Sequence, residues 1–301
     1  MTEIWILVAA NPAIDNLVSR GRELGGQLVA VVAGDRSCAE AVAASGVDKV
    51  VWLGEPGQTP VEARAAAVAD LVAQAAPRVV LTASHPAERV LAGAVAGRLG
   101  APALTMVSSV RIEADAVLVT HATFGGIAEE TVRVEGPVVI VDEGGSVGSG
   151  SSVPIEEITA ASTPTLTVLE TRPSSATRVD LGKARRVVAV GRGLARREDL
   201  ALIEELAKAL DAEVACSRPV AEGLGWLSRD RYIGVTGQHV HPDLYIALGI
   251  SGQLQHVVGC RDAGTVVVVN CDAKAPYFGE CDYGIVGDLA QVVPALTAAL
   301  A

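Results

Sequence analysis

The chain has 301 residues, half of them hydrophobic and only 3% aromatic, with a formal net charge of −11. That length suits one large or two moderate domains with sizeable cores. The acidity and the absence of any Lys/Arg cluster exclude a nucleic-acid surface, and no run of 18 apolar residues exists to span a membrane.

Five cysteines (Cys38, Cys216, Cys260, Cys271, Cys281) are odd in number and show no C-x-x-C spacing. They predict neither a disulfide framework nor a metal site, and they fit a reducing cytoplasm. The opening MTEIWILVAANP carries an acid where a signal peptide has a basic flank, so it reads as a first strand.

In chain order, strands at 3–9, 28–33, 49–53 and 78–83 alternate with helices at 14–24, 36–44, 60–76 and 86–99. This alternation predicts four mutually parallel strands with covering helices. Pro86 belongs to the first turn of its helix and Gly100 ends it. His85 and Asp35 stand at strand ends, where loop capping accounts for both and a ligand contact is the alternative. Past Pro102, short β-rich segments at 104–111, 116–122, 129–134 and 137–142 are separated by EAD, FGG and EGP turns. They are expected as antiparallel additions to the same sheet. The GGSVGSGSSVP stretch at 144–154 reads as a loop leading to a last strand at 165–169. TRPSSATRVDLGKA then reads as a linker, with a domain boundary near residue 175. This half shows no phosphate loop, catalytic triad or metal-ligand spacing, so binding a partner is its expected job.

The second half is richer. RRVVAVGRGL, ACSRPV, YIGVTGQ, DLYIALGISGQLQH, TVVVVNCD and DYGIVGDL are apolar, β-branched runs that stop abruptly at Gly, Ser, Thr, Asn or Asp. Parallel strands deliver polar loops to one sheet edge in this way, and in open α/β sheets that carboxyl edge holds ligands. Helices at 197–210 and 286–300 place Leu200, Ile203, Leu206 and Leu210, and Val286, Leu289, Val293, Leu296 and Leu300, on packing faces. The expected fold is α/β in two domains. Residues 1–175 form an N-terminal mixed α/β sheet domain, and 176–301 a C-terminal Rossmann-like domain with a doubly wound parallel sheet.

Three loops suit a nucleotide: Gly191-Arg192-Gly193, Ser217-Arg218, and Ser251-Gly252 opening a helix. Small residues let the backbone approach a pyrophosphate, and a helix N-terminus favours an anion. Each residue alone has a plainer reading. Arg192 suits a pyrophosphate or a solvated surface; Arg218 suits a ligand charge or a structural ion pair. Ser251 is sufficiently explained as an N-cap, His256 as a core histidine, and Asp288 as a first-turn helix acid.

Taken in order, Gly191-Arg192-Gly193-Leu194, Ser217-Arg218, Gly234-Val235-Thr236-Gly237, Asp243-Leu244-Tyr245-Ile246-Ala247, Gly249-Ile250-Ser251-Gly252, Gln255-His256, Asn270, Pro276 and Asp282-Tyr283-Gly284-Ile285-Val286 closely resemble one known domain. It is the FAD-binding domain of the electron transfer flavoprotein alpha subunit. The resemblance covers most of the second half with few gaps, and the first half more loosely. It implies FAD bound by Arg192, Ser217, Arg218, Ile233, Gly234, Val235, Thr236, Ser251, Gly252, Gln253, Leu254, Gln255, His256, Asn270, Asp288 and Leu289. By the same resemblance, Thr236 meets the redox-active ring nitrogen, and His256 the pyrimidine carbonyl edge. Arg218 supplies a fixed cation that favours reduced, negatively charged states, and Asn270 and Asp288 hold the adenosine half.

The resemblance further implies an electron carrier without a substrate of its own, in a heterodimer with a beta subunit. Flavin dehydrogenases, including those of fatty-acid β-oxidation, donate electrons, and a quinone-linked or other redox acceptor receives them. The chain departs from the family pattern at Val190 (usually glycine), Val235 (usually glutamine), and Gln238 and Cys271 (usually lysine). Loss of the glutamine removes an amide near the ring, which leaves the potential open. The competing class is an NAD-dependent oxidoreductase using the same edge. Against it, the second strand ends in Ser217-Arg218 where a dinucleotide site has an acid.

Overall fold

The protein's computed structural model describes residues 3–124, 126–158, 166, 168–170 and 181–300. The chain divides into two compact units, Met1–Arg172 and Pro173–Ala301.

The first unit begins with β1 (Glu3–Val8), α1 (Asp15–Glu23), β2 (Gln27–Val32), α2 (Arg36–Ala43), β3 (Lys49–Trp52), α3 (Ala65–Ala75), β4 (Val79–Ala83) and α4 (Pro86–Leu99). It continues with β5 (Ala103–Thr105), β6 (Val107–Glu113), β7 (Ala116–Thr123), β8 (Ala128–Val134), β9 (Val138–Asp142) and β10 (Ile155–Glu157). Seven strands form one sheet in the order β10-β3-β2-β1-β4-β9-β5, with every pair parallel. Alternation along β1 divides the core: Ile4, Ile6 and Val8 pack with α1 and α2, and Trp5 and Leu7 with α3 and α4.

The segments after Pro102 depart from the expected antiparallel additions. β6, β7 and β8 form a separate antiparallel sheet, whereas β9 joins the main sheet parallel to β4, and β5 joins parallel to β9. The physical difference is burial. VVIV of β9 is buried on both faces, the pattern of a parallel strand between helix layers, while AEETVRV of β8 is exposed along most of its length. Val107, Val117 and Val119 of the small sheet pack into the core on the α1/α2 side. β10 also lies where the sequence suggested only a connection, pairing Ile155 with Val50 of β3. The expected strand at 165–169 falls partly outside the described residues, and 166, 168 and 169 belong to no strand. Most of the expected linker, with the boundary near 175, lies at 171–180, also outside them.

The strand order reverses between β1 and β4, the place where an open sheet commonly holds a ligand. There a side chain of α4 takes the backbone amides that follow β1. Glu88 is 2% exposed, and its Oε1 accepts the amides of Ala9 (3.1 Å), Ala10 (3.3 Å) and Asn11 (3.4 Å). Asp35 caps α2 by accepting the Cys38 amide at 2.8 Å. His85 occupies the N-cap position of α4 without capping it, its Nε2 instead lying 3.0 Å from Asn11 Nδ2.

The second unit contains β11 (Arg186–Val190), α5 (Leu200–Ala209), β12 (Glu213–Cys216), β13 (Leu244–Leu248), α6 (Leu254–Val257), β14 (Val266–Asn270), β15 (Tyr283–Val286) and α7 (Leu289–Leu300). Its sheet runs β12-β11-β13-β14-β15, all parallel. This is the doubly wound order, with a reversal between β11 and β13. Ile203 and Leu206 of α5 and Val293 of α7 pack with Val188, Val190 and Leu248 on one face. Val257 of α6 and Tyr277 cover Val187, Ala189 and Ala247 on the other. Full burial of Ile203 and Leu206 stabilises by about 1.5–3 kcal/mol each.

Two sequence expectations fail in this unit. On the last helix, Val286 ends strand β15 and is exposed, so the helix starts at Leu289, and Leu300 at its far end is exposed instead of packed. YIGVTGQ is not a strand: Tyr232 and Ile233 make single bridges to Cys216 and Gln238, and the chain folds back at once. Glycines at 234 and 237 interrupt the run and permit that return.

Glu88→Ala is expected to lower stability by about 1–3 kcal/mol, because three amides lose their acceptor, the Ala9 amide in a fully buried setting. Glu88→Gln, which keeps one carbonyl oxygen, should lose less. Urea midpoints of the two variants and the parent are the check; two variants indistinguishable from the parent would show that water satisfies those amides.

Candidate functional site

The site begins with a backbone contact at the β11/β13 reversal. The Gly191 amide donates to Leu248 O at 2.8 Å, and the Gly193 amide to Gly249 O at 3.0 Å. A Cβ on Gly191 would lie 2.3 Å from Gly249 O, and one on Gly193 would lie 2.7 Å from Gly249 Cα. The glycines are therefore required by loop-on-loop packing, before any approach to a pyrophosphate. Gly249 itself has φ +63, a conformation glycine adopts readily. Beyond this contact the two loops part, and a cavity of 630 Å³ opens at the carboxyl edge. It falls within the roughly 300–1,000 Å³ of small-molecule and cofactor sites.

The structure brings Arg192, Ser217, Arg218, Ile233, Val235, Thr236, Ser251, Gln253, Gln255, His256 and Asn270 onto the wall of this cavity. Gly234, Gly252 and Leu254, also expected at the cofactor, are not among its lining residues. A Cβ on Gly234 would meet Gln255 O at 2.6 Å, and one on Gly252 (φ +83) would meet the Tyr277 backbone nitrogen at 2.6 Å. Leu254 opens α6. Asp288 and Leu289 line a separate hollow of 220 Å³, and Gly193 borders both. There Asp288 Oδ1 accepts the Ala290 amide at 2.8 Å, at the start of α7.

Ser251 does not cap the following helix. Gln253 holds the N-cap position, α6 is a single turn, and Ser251 contributes its carbonyl to the Tyr277 amide at 3.2 Å. Sequence reasoning assigned no role to Pro219, Tyr232, Asp272 or Ala275, which also line the cavity. Three of them lie in segments without apolar periodicity. Tyr232 was hidden in a run that resembles a strand, where its only signal was the Gly-Val-Thr-Gly turn that follows.

His256 is 7% exposed, and its Nε2 lies 2.7 Å from the Tyr245 hydroxyl. Burial pushes its pKa down to about 4, opposed slightly by the Ile233 carbonyl, so the imidazole is neutral at pH 7. Its Nδ1 is buried and has no hydrogen-bond partner among the described residues. Burial, with Cys260 and Tyr277 nearby, raises the Tyr245 pKa well above its ordinary value, which keeps the phenol protonated.

Arg218 is less constrained than its position after a buried strand suggested. Its side chain is 64% exposed, and Nε meets Glu222 Oε2 at 2.6 Å. That hydrogen bond raises the guanidinium pKa and lowers that of Glu222, which Arg229 also approaches at 3.2 Å. Exposed pairs of this kind are weak and salt-sensitive, so a ligand charge can compete for Arg218. Arg192 is exposed and makes no ion pair among the described residues. Asn270 braces the wall, donating from Nδ2 to Ile250 O and accepting the Asp272 amide at Oδ1, each at 3.0 Å.

All five cysteines are free. Burial pushes the Cys216 thiol up to about 12 and also raises Cys260, so neither is a thiolate near neutral pH. Among the described residues no group of His, Cys, Asp and Glu is arranged to hold a metal, and no helix is long and apolar enough to cross a membrane.

Residues 8–173 match a family model described as the electron transfer flavoprotein domain, and residues 180–261 match one described as the electron transfer flavoprotein FAD-binding domain. Protein FixB of Escherichia coli O7:K1 is 35% identical over 310 residues, spanning 100% of this chain and 98% of its own. The chain belongs to the electron transfer flavoprotein alpha (FixB) family. Protein FixB of Escherichia coli O157:H7 and of Shigella flexneri are each 36% identical over 311 residues, with the same coverage. The chain is accordingly an electron transfer flavoprotein alpha subunit, and its cofactor is FAD.

The residues present fit that group. The cavity offers two exposed guanidinium groups for an anionic cofactor, apolar Ile233, Val235 and Ile250 for a ring face, and Thr236 and neutral His256 for polar ring edges. Val235, where the family pattern has glutamine, is a 40% exposed apolar side chain on this wall.

The depressed pKa of His256 makes stability depend on pH in a defined direction. The unfolded chain takes up the proton near pH 6.5 and the folded chain only near 4, so stability falls as pH drops between those values. The loss from this one group should be about 3 kcal/mol. His256→Phe should lack that component, visible as a flatter stability profile in urea melts at pH 7, 5.5 and 4.

Proposed function

We propose that this chain is the flavin-holding subunit of a heterodimeric carrier without a substrate of its own. A beta subunit completes the flavin's surroundings, flavin dehydrogenases, including those of fatty-acid β-oxidation, donate electrons, and a quinone-linked or other redox acceptor receives them. We place the division between the partner-binding domain and the FAD domain at residue 175.

The observation that carries this reading is the open cavity at the β11/β13 reversal, walled by two exposed guanidinium groups and a neutral histidine. The wall groups suit binding and tuning more than substrate chemistry. His256 is a weak base engaged with Tyr245, and the buried cysteines of this unit are protonated. For the first unit, partner binding is supported by Phe124 and Ile127, which are 81% and 69% exposed around the β7–β8 turn.

FAD, when bound, supplies the one- and two-electron chemistry. The chain's own residues do the rest. Arg192 and Arg218 place positive charge at the cavity, Ile233, Val235 and Ile250 exclude water from its apolar side, and Asn270 keeps the 250–253 loop in place. Thr236 presents an exposed hydroxyl and His256 a neutral ring.

Co-purification with its beta subunit should yield a yellow complex whose flavin bands bleach on adding a flavin dehydrogenase and its substrate. A complex that stays colourless after FAD reconstitution would sink the reading. Arg218→Ala should lower the flavin's first one-electron potential by about 20–40 mV, the effect left to a solvent-screened charge about 4 Å away. Arg218→Lys, which keeps the charge but loses the planar fork, should lower it less. Spectroelectrochemistry at matched flavin occupancy is the measurement, and no shift in either variant returns Arg218 to its ion pair with Glu222.

A further inference from the structure

Behind Thr236 stands a residue with no assigned role. Tyr232 is 3% exposed, borders the cavity, and has its hydroxyl hydrogen-bonded to Thr236 Oγ1. The loop between them is closed by backbone bonds. The Gln238 amide donates to Tyr232 O at 2.8 Å, and the Gly237 amide to Gly234 O at 2.8 Å. Outward, the Ile233 amide donates to Cys216 O at 3.0 Å, and the Val235 amide to Gln255 O at 2.8 Å. The phenol ring fills the inside of this loop. A Cβ on Gly237 would lie 2.8 Å from Tyr232 Cε2, and one on Gly234 would lie 3.3 Å from it. The ring is thus held on several sides, and its hydroxyl meets Thr236 at the cavity wall.

A threonine hydroxyl has one proton and two lone pairs, and a phenol beside it can either donate to it or accept from it. With Tyr232 donating, the Thr236 proton is free for an acceptor in the cavity. With a donor in the cavity, Thr236 accepts from it and turns its own proton to the Tyr232 oxygen. We propose that Tyr232 is a positioning residue for Thr236, holding that hydroxyl at the wall and letting it reverse between donating to a ring nitrogen and accepting from a ring N–H. The inference rests on the flavin reading above. The hydroxyl pair contributes no electron and no net proton; both are exchanged between the flavin and its redox partners.

The test uses the complex with its beta subunit: the parent, Tyr232→Phe, Thr236→Ala and the double variant, at matched flavin occupancy. If the parent binds no flavin, the functional reading itself fails. With flavin bound, Tyr232→Phe and Thr236→Ala should each change the oxidised-to-reduced equilibrium about threefold in the same direction, ~14 mV for a two-electron couple. The double variant should move no further than Thr236→Ala, because both changes remove one linked pair. An unmoved potential in Tyr232→Phe, or shifts that add in the double variant, overturns the proposal. Should the Phe variant not load flavin, 3-fluorotyrosine at 232 keeps the ring and strengthens the donor. A potential displaced from the parent then supports the pairing, and an unchanged one overturns it.

Discussion

The second unit depends on one close approach of backbone to backbone, the loop after β11 lying directly on Gly249. Parallel pairing of β11 and β13 from Arg186↔Leu244 to Val190↔Leu248 brings both strands to the sheet edge at the same level. Their loops must then diverge without a gap between them, and the room left for a side chain at Gly191 or Gly193 is less than any Cβ tolerates. Beyond that contact lies the cavity of 630 Å³. Arg192 and Ser251, on the two loops, line the same cavity.

The same topological rule has opposite outcomes in the two units. In the first sheet the carboxylate of Glu88 takes the three amides that follow β1 at the reversal. In the second the reversal stays open. A fold-level argument alone would put a ligand in both, since both are open parallel sheets. In the first, amides at that edge are engaged by a side chain of α4.

Around the open cavity, polar groups are held by other polar groups behind them. Tyr245 holds His256, the Ile250 carbonyl and Asp272 amide hold Asn270, and Tyr232 meets Thr236. Partnered groups tolerate burial far better than lone ones, and Tyr245 partners the Nε2 of a histidine that burial holds neutral, with a pKa near 4. Arg218 is the exception, an exposed cation in an exposed pair, and its influence on a bound charge is screened accordingly.

Much of the fold was legible from sequence because its signals are local. Runs such as RVVAV and VVVVN show doubly buried strands, LALIEELAKA shows an amphipathic helix, and the ordered succession of loop residues carries the family resemblance. What tertiary structure alone decided was pairing and partnership, which depend on residues far apart in the chain. An apolar run at 138–142 does not encode the direction in which it pairs, so β9 was expected antiparallel and joins the sheet parallel to β4 and β5. The hydroxyl of Ser251 reads as a cap until the helix is seen to start at Leu254. Asp288 reads with the other loop residues until it is found at a second hollow, and nothing in the sequence marks Glu88 until its three amides are seen. Hydrophobic period and turn chemistry are written residue by residue; which backbone groups a buried side chain meets is settled only when distant segments pack.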